Sequence, residues 1–163
     1  MELYKLGIKF LGAPGQRVEL TEFIPIFQEW IQKQIIKEHL LIDTHNYSHM
    51  HEGPGILLVA HEGNFGIDFA DGRMGFVYYR KQPAHSFADI VKPAVQGCRL
   101  LKFSTDEAII FANDRLLAPN NEETFAQLQA ALSDSLREVL GKTFSLSRVS
   151  DDPKERLTIC AEL

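Results

Sequence analysis

Residues 121–163 read NEETFAQLQAALSDSLREVLGKTFSLSRVSDDPKERLTICAEL, and they predict a helix followed by two strands. Apolar side chains recur every three or four residues from Phe125 to Leu140, which is the spacing of one helix face. Gly141 suits the position just after a helix. TFSLSRVS and ERLTICAEL alternate between apolar and polar residues, which predicts two strands joined by a turn at DDPK.

The alternation divides these two strands into an inward and an outward face. The inward set, which we expect to face the core, is Phe144, Leu146, Leu157, Ile159 and Ala161. The outward set is Ser145, Ser147, Thr158, Cys160 and Glu162.

The same order of elements occurs near the N-terminus. ELYKLGIKF alternates like a half-buried strand, a helical stripe begins at Phe23, and ILLVAHE at 56–62 is an apolar strand. LGAPG…TEF is echoed by LLAPN…ETF, and LLVAHE is echoed by LTICAE. We therefore predict one domain, 1–163, that contains an internal repeat over about 3–62 and 107–163.

Residues 63–106 would link the two units. They predict a hairpin with Asp71-Gly72 as a two-residue type I′ turn, followed by a shorter helix. Two β-α-β-β units joined by a hairpin and a helix predict an α+β fold in the neighbourhood of ferredoxin-like folds. We expect a mostly antiparallel sheet with helices on one face.

Aligning the two units predicts which residues of the N-terminal unit face the core. Placing LLVAHE on LTICAE puts Leu57, Val59 and His61 on the core face and Glu62 on the opposite face. The intervening stretch DTHNYSHMHEGPG, 43–55, occupies the slot of TFSLSRVSDDPK, so most of it is predicted to be a strand and only EGPG a turn.

Histidines on that strand are candidate metal ligands, because neutral imidazoles and carboxylates bind zinc, iron or copper. Odd-numbered residues share one strand face, and the overlay brings Glu62 near His45. The candidate set is His45, His49, His51 and Glu62. The competing interpretation, which we prefer, is a polar strand face that binds no metal.

Polar residues around the predicted hairpin could instead bind an anionic small molecule or support acid–base chemistry. In an antiparallel hairpin Asp68 lies near Gly75, and Asn64 lies near Tyr79. The candidate ligand-binding set is His49, His51, His61, Glu62, Asn64, Asp68, Arg73, Tyr79, Arg80 and, from a separate strand end, Arg115. The alternative is a set of cross-strand salt bridges on a solvated face.

Composition excludes several classes of function. The net charge of −5 argues against sequence-independent binding of nucleic acid and against docking on anionic lipid. MELYKLGIKF has no apolar h-region, and no apolar run reaches the length of a membrane span. The two cysteines are far apart, as expected of reduced thiols in an intracellular protein. P-loop, dinucleotide and nucleophile-elbow motifs are absent from the sequence.

YSHMHEGPGILLVAHEGN, DGRMGFVYYRK and NDRLLAPN resemble stretches found in an uncharacterised family of bacterial proteins of similar length. The resemblance extends over nearly the whole chain. It implies a bacterial, cytoplasmic protein, and it implies no substrate, cofactor or catalytic residue.

Two hypotheses follow for function. The first is a binding or assembly module that holds a small anionic ligand or a protein partner. ILLVA is apolar on both faces, so the face without helices needs a cover, either the hairpin or a second subunit, and we expect a homo-oligomer. The second is a small enzyme with a histidine and carboxylate site, with or without a metal.

Overall fold

The structure is a computed structural model that describes residues 3–15, 18–50, 53–114 and 118–163. Within these ranges the strands are β1 (Leu6–Leu11), β2 (Leu41–Tyr47), β3 (Gly55–Ala60), β4 (Gly63–Asp68), β5 (Gly75–Arg80), β6 (Glu107–Ala112), β7 (Ser145–Arg148) and β8 (Leu157–Glu162). The helices are α1 (Phe23–Lys33), α2 (Ala88–Leu101) and α3 (Glu122–Leu140).

The strands form one open sheet in the order β2-β3-β4-β5-β1-β6-β8-β7, and every pairing is antiparallel. Helices α1, α2 and α3 pack on one face of this sheet, where Trp30 and Gly97 lie against Phe76. The predicted α+β fold, with a mostly antiparallel sheet and helices on one face, is confirmed.

The core lies between that face and the helices. It includes Ile8 and Phe10 of β1, Phe76 of β5, and Leu132 and Leu136 of α3, all of them fully buried. As predicted, Phe144, Leu157, Ile159 and Ala161 are buried in this core and Leu146 packs against it.

Both ends of the chain have the element order strand, helix, strand, strand. At the C-terminal end β6, β8 and β7 are neighbours, whereas at the N-terminal end the hairpin β4–β5 lies between β3 and β1. The order agrees with the proposed repeat, and duplication itself stays a prediction.

The predicted type I′ turn at Asp71-Gly72 is wrong, although the predicted pairing of its strands is correct. Asp68 pairs with Gly75 and Asn64 pairs with Tyr79. The connection is longer, 69–74, and contains a short 3-10 turn at Ala70–Gly72. Lys9 holds this loop by donating to the carbonyl oxygens of Ala70 and Arg73, at 3.1 and 3.0 Å.

The predicted phase of β3 is also wrong by one residue. Ile56, Leu58 and Ala60 are fully buried in the core, while Leu57 and Val59 are half-buried on the opposite face. Because this strand is apolar on both faces, its pattern does not fix the phase, and the overlay on β8 shifted it.

Strand β2 ends sooner than predicted. Asp43, His45 and Tyr47 do share the face away from the helices, since they pair with Val59, Leu57 and Gly55. Residues 48–50 form a turn instead of strand, with the Met50 amide donating to the Tyr47 carbonyl at 3.0 Å.

None of the helices in the described part of the chain is long and apolar enough to cross a membrane.

Candidate functional site

A polar cleft of about 580 Å³ opens at one end of the sheet, between the segment 34–40 and helix α2. Its size is that of a small-molecule site, which is typically about 300–1,000 Å³. The residues that line this polar cleft are Lys37, Glu38, His39, Glu62, Arg80, Gln82, Ala88, Asp89, Lys92, Pro93 and Gln96.

Glutamine side chains fix the wall formed by 34–40. Helix α1 ends because Gln34 adopts a left-handed backbone conformation, with φ of 47°. The side chain of Gln34 then bonds both the amide and the carbonyl of Leu41, at 3.0 and 2.9 Å. From α2, Gln96 donates to the Ile35 carbonyl and accepts from the Lys37 amide. The wall is therefore tied to both neighbouring elements.

A chain of hydrogen bonds forms the floor of the cleft. The imidazole of His39 contacts the Lys37 carbonyl through Nδ1 at 2.9 Å and the Tyr78 hydroxyl through Nε2 at 2.7 Å. Nη1 of Arg80 donates to the same hydroxyl at 3.3 Å. Because the Lys37 carbonyl can only accept, Nδ1 carries the ring hydrogen, and Nε2 of the neutral imidazole accepts the Tyr78 proton.

Because its groups are buried, this network of hydrogen bonds is important for the stability of the fold. Tyr78 is fully buried and His39 is 9% exposed. Burial raises the pKa of Tyr78, so the phenol stays protonated and donates at neutral pH. Gly63 packs directly under the ring, since a Cβ there would lie 2.5 Å from the Tyr78 hydroxyl.

The carboxylates of the cleft are partly occupied by backbone amides. Glu62 accepts from the Leu40 amide at 2.8 Å, and Asp89 accepts from the His85 amide at 2.8 Å. Burial alone raises the pKa of Glu62, but the bonds from the Leu40 and Glu62 amides, with the nearby His39 and His61, lower it overall. Glu62 is therefore ionised at neutral pH.

The cations of the cleft have no carboxylate partner among the described residues, although Lys37 and Lys92 are exposed to solvent and Arg80 donates through Nη1 to the Tyr78 hydroxyl. Lys37, Lys92 and Arg80 form no ion pair with any carboxylate in the described ranges. Nε of Arg80 is buried and has no hydrogen-bond acceptor among the described residues. An ionised donor left unpaired in the interior costs more than a neutral one, for which the penalty is about 1–3 kcal/mol.

Of the residues predicted from sequence, Glu62 and Arg80 line the cleft. Asp68 and Arg73 do not, because each makes a structural bond elsewhere. Lys9 Nζ lies 2.6 Å from Asp68 Oδ1, and Arg73 Nη1 lies 2.7 Å from Glu107 Oε2. Arg73 also donates to the Gly12 carbonyl. The alternative interpretation predicts salt bridges on a solvated face, whereas the side chains of Lys9 and Asp68 are only 9% and 14% exposed.

The other predicted ligand-binding residues are dispersed. His61 is exposed in the β3–β4 turn, and Asn64 closes that turn by accepting from the Ala60 amide at 3.4 Å. Tyr79 lies on the face away from the helices, stacked on Phe111. Arg115 lies outside the described residues.

The proposed metal ligands do not come together in the described chain. His45 stacks on Tyr47, with its Nε2 3.9 Å from Asp43 Oδ2. His45 lies four residues along β2 from Leu41, which is a distance of about 13 Å in a strand. Glu62 instead bonds the amide of Leu40, at the other end of β2. The prediction that His45 lies near Glu62 is therefore wrong. His49 is exposed in the turn after β2, and His51 lies outside the described residues.

A different group of potential ligands, Glu107, Cys160 and Glu162, has its ligand atoms within 4.8 Å of one another. Burial, the hydrogen bond to Glu162 and the charges of Glu162 and Glu107 raise the pKa of Cys160 to about 11. The thiol therefore stays protonated at neutral pH, and Glu107 is already bound by Arg73.

Sequence reasoning missed His39, Tyr78, Lys37 and Lys92. The helical stripe that begins at Phe23 predicts no position for His39. The available signal was Tyr78, which shares the alternation phase of Phe76 and is therefore predicted to be buried. A buried phenol needs a hydrogen-bond partner, and a histidine is a suitable one.

Comparisons with protein-family models, with curated proteins and with solved structures gave no match for this chain. The resemblance to an uncharacterised bacterial family therefore stays a prediction.

Proposed function

We propose that this protein is a small-ligand-binding module of the bacterial cytoplasm and that its polar cleft holds an anionic small molecule. The observation that carries the proposal is the buried Nε–H of Arg80, which has no hydrogen-bond acceptor among the described residues. Lys37 and Lys92 lie on the walls of the same cleft and are exposed, so both can reach a bound anion. A carboxylate or phosphate ligand supplies the missing acceptor.

The cleft favours binding over catalysis. Both nitrogens of His39 are engaged, one by the Lys37 carbonyl and one by the Tyr78 hydroxyl. A general base needs a free nitrogen within hydrogen-bond reach of the substrate, and this imidazole offers none. The floor is instead a rigid support that holds the Arg80 guanidinium.

Location and assembly are part of the same proposal. Cys98 and Cys160 are free thiols, which supports a reducing compartment such as the cytoplasm. The net charge of −5 supports a function that does not involve nucleic acid or anionic membranes. We also propose a homo-oligomer.

Titration calorimetry tests the ligand class. The probes are inorganic phosphate, citrate and AMP, with adenosine as the uncharged counterpart of AMP. We expect an anionic probe to bind and adenosine to fail, with an affinity that falls as salt is added. Binding by none of the three anions would contradict the proposal.

Matched variants locate the binding. Arg80→Gln and Lys92→Gln should each weaken binding about tenfold or more, since each removes a charge-assisted hydrogen bond. Lys154→Gln, at an exposed position in the turn before β8, is the control and should bind like the wild type. An affinity that neither cleft substitution changes would place the ligand elsewhere.

A further inference from the structure

The sheet has a second face, here called the open face, that carries the side chains pointing away from α1, α2 and α3. Successive cross-strand partners form a row across it, from His45 on β2 through Leu57, Val77 and Ile109 to Ser147 on β7. Leu11 and Phe111 are buried yet lie outside the main core, because they belong to this face.

The centre of the open face is apolar and half-exposed. Leu57, Val59, Val77, Tyr79 and Ile109 are each half-buried, and no described helix packs over them. The hairpin β4–β5 does not cover this face either, since both of its strands are part of the sheet. Lys9 lies between Val77 and Ile109 but is only 7% exposed, so apolar side chains supply most of the surface here, as in an interaction surface.

Four charged side chains near the centre of the open face, those of Lys9, Asp68, Arg73 and Glu107, are paired within the chain. Lys9 pairs with Asp68 at 2.6 Å and makes two further bonds to carbonyl oxygens. Arg73 pairs with Glu107, and the Arg156 guanidinium lies 4.1 Å from the centre of the Phe111 ring. Burying the face would therefore leave none of these charges without a partner, which is the usual obstacle to burial.

The extent of the face matches a stable interface. Eight strands spaced about 4.8 Å apart and about 20 Å long give roughly 700 Å². A standard interface buries about 800 Å² on each partner. Two sheets of this size pack face to face at about 10 Å separation, with their side chains interdigitated.

We infer that the open face is the interface of a homodimer and that its occupant is the open face of a second copy of this chain. A charged partner gains little from the centre of this face, because the charges there are already paired within the chain. An identical apolar face meets no repulsion there, and twofold pairing of the same surface is the commonest way in which chains associate. This dimer does not depend on ligand binding in the cleft.

Sedimentation equilibrium on the intact chain tests the dimer from low to high micromolar concentration. We expect the mass to approach twice the chain mass of 18.5 kDa as concentration rises. A monomer at every concentration would overturn the inference, and so would a dimer that Val77→Glu leaves intact. We expect Val77→Glu to be monomeric. Leu100→Glu is the control, since Leu100 is 40% exposed on α2, away from the open face, and this variant should still dimerise.

If Val77→Glu fails to fold, hydroxyl-radical footprinting of the wild type tests whether the open face is the interface. Oxidation of the Tyr79 side chain should fall as the protein concentration rises, while oxidation of Leu100 should stay constant. A dimer in which Tyr79 remains as reactive as in the dilute protein would use another surface, such as a sheet edge, and would refute the open-face dimer.

Discussion

The Tyr78 hydroxyl lies 2.7 Å from Nε2 of His39, so one buried bond joins strand β5 to the segment that precedes β2. The same oxygen accepts from Arg80 at 3.3 Å. This connection places a cationic side chain at the edge of the polar cleft and fixes the wall opposite α2. The cleft's geometry therefore depends on a tyrosine that is not among the residues lining it.

Removing this hydroxyl should destabilise the fold. Tyr78→Phe leaves a nitrogen of His39 and an N–H of Arg80 without partners, at a cost of about 1–3 kcal/mol in the free energy of unfolding. Urea denaturation measures the loss. Tyr79→Phe is the control, because its hydroxyl makes one 3.3 Å bond with Asn113 on the other face and should cost less. Equal losses in the two variants would contradict the role given to Tyr78.

Gly63→Ala should disturb the same floor. Its Cβ would lie 2.5 Å from the Tyr78 hydroxyl and 2.7 Å from the ring carbon that carries it, so the buried ring must move. Overpacking of this kind costs about 1–3 kcal/mol. Gly66→Ala should cost less, since its nearest contact would be 3.3 Å from the Ile56 carbonyl. Thermal unfolding compares the stability of the two variants. A Gly63→Ala protein as stable as the wild type would contradict the close packing of Gly63 against Tyr78.

The pair formed by Lys9 and Asp68 should contribute much more to stability than the surface pairs do. Its side chains are 9% and 14% exposed, and Lys9→Met would leave the Asp68 carboxylate nearly buried without its cation. Breaking such a pair costs about 3–5 kcal/mol. Lys33→Gln removes an exposed pair with Glu29 and should cost less than about 1 kcal/mol. Chemical denaturation measures the loss of unfolding free energy in each variant. A loss in Lys9→Met no larger than that in Lys33→Gln would contradict a structural role for the buried pair.

Stability should fall in acid partly because of Glu62. Its pKa is lowered from the ordinary value of 4.5, so the unfolded chain binds this proton more tightly than the folded chain. The contribution is therefore complete above the unfolded pKa and disappears as pH falls through the folded pKa. Unfolding free energies of wild type and Glu62→Gln should differ near neutral pH and converge in acid. A difference that does not change with pH would refute the assigned shift.

The fold could be predicted because its signals were periodic. The stripe from Phe125 to Leu140 and the alternation around DDPK identify α3, β7 and β8, and their core residues were assigned correctly. The same reasoning failed at β3, since Ile56 to Ala60 are apolar at every position and either phase buries hydrophobic side chains. Only the pairing of Ala60 with Leu41 and of Leu58 with Phe65 selects the core side of this strand.

The site was predicted less well for a different physical reason. Polarity alone does not distinguish Asp68 and Arg73, which stabilise the sheet, from Arg80, which lines a cleft. That distinction depends on which carboxylate or carbonyl each side chain reaches. His39 follows a helix end set by a left-handed residue that is not glycine, so the sequence carried no ordinary signal for its position.

The most direct test of anion binding in the polar cleft is the NMR signal of the Arg80 Nε–H during titration with citrate or phosphate. We expect this signal, assigned by its loss in Arg80→Lys, to shift saturably as the guanidinium gains an acceptor. The Nε–H of Arg73, which already donates to the Gly12 carbonyl at 3.2 Å, should stay in place. An Arg80 signal that does not move, or one that drifts together with Arg73, would contradict the proposed site.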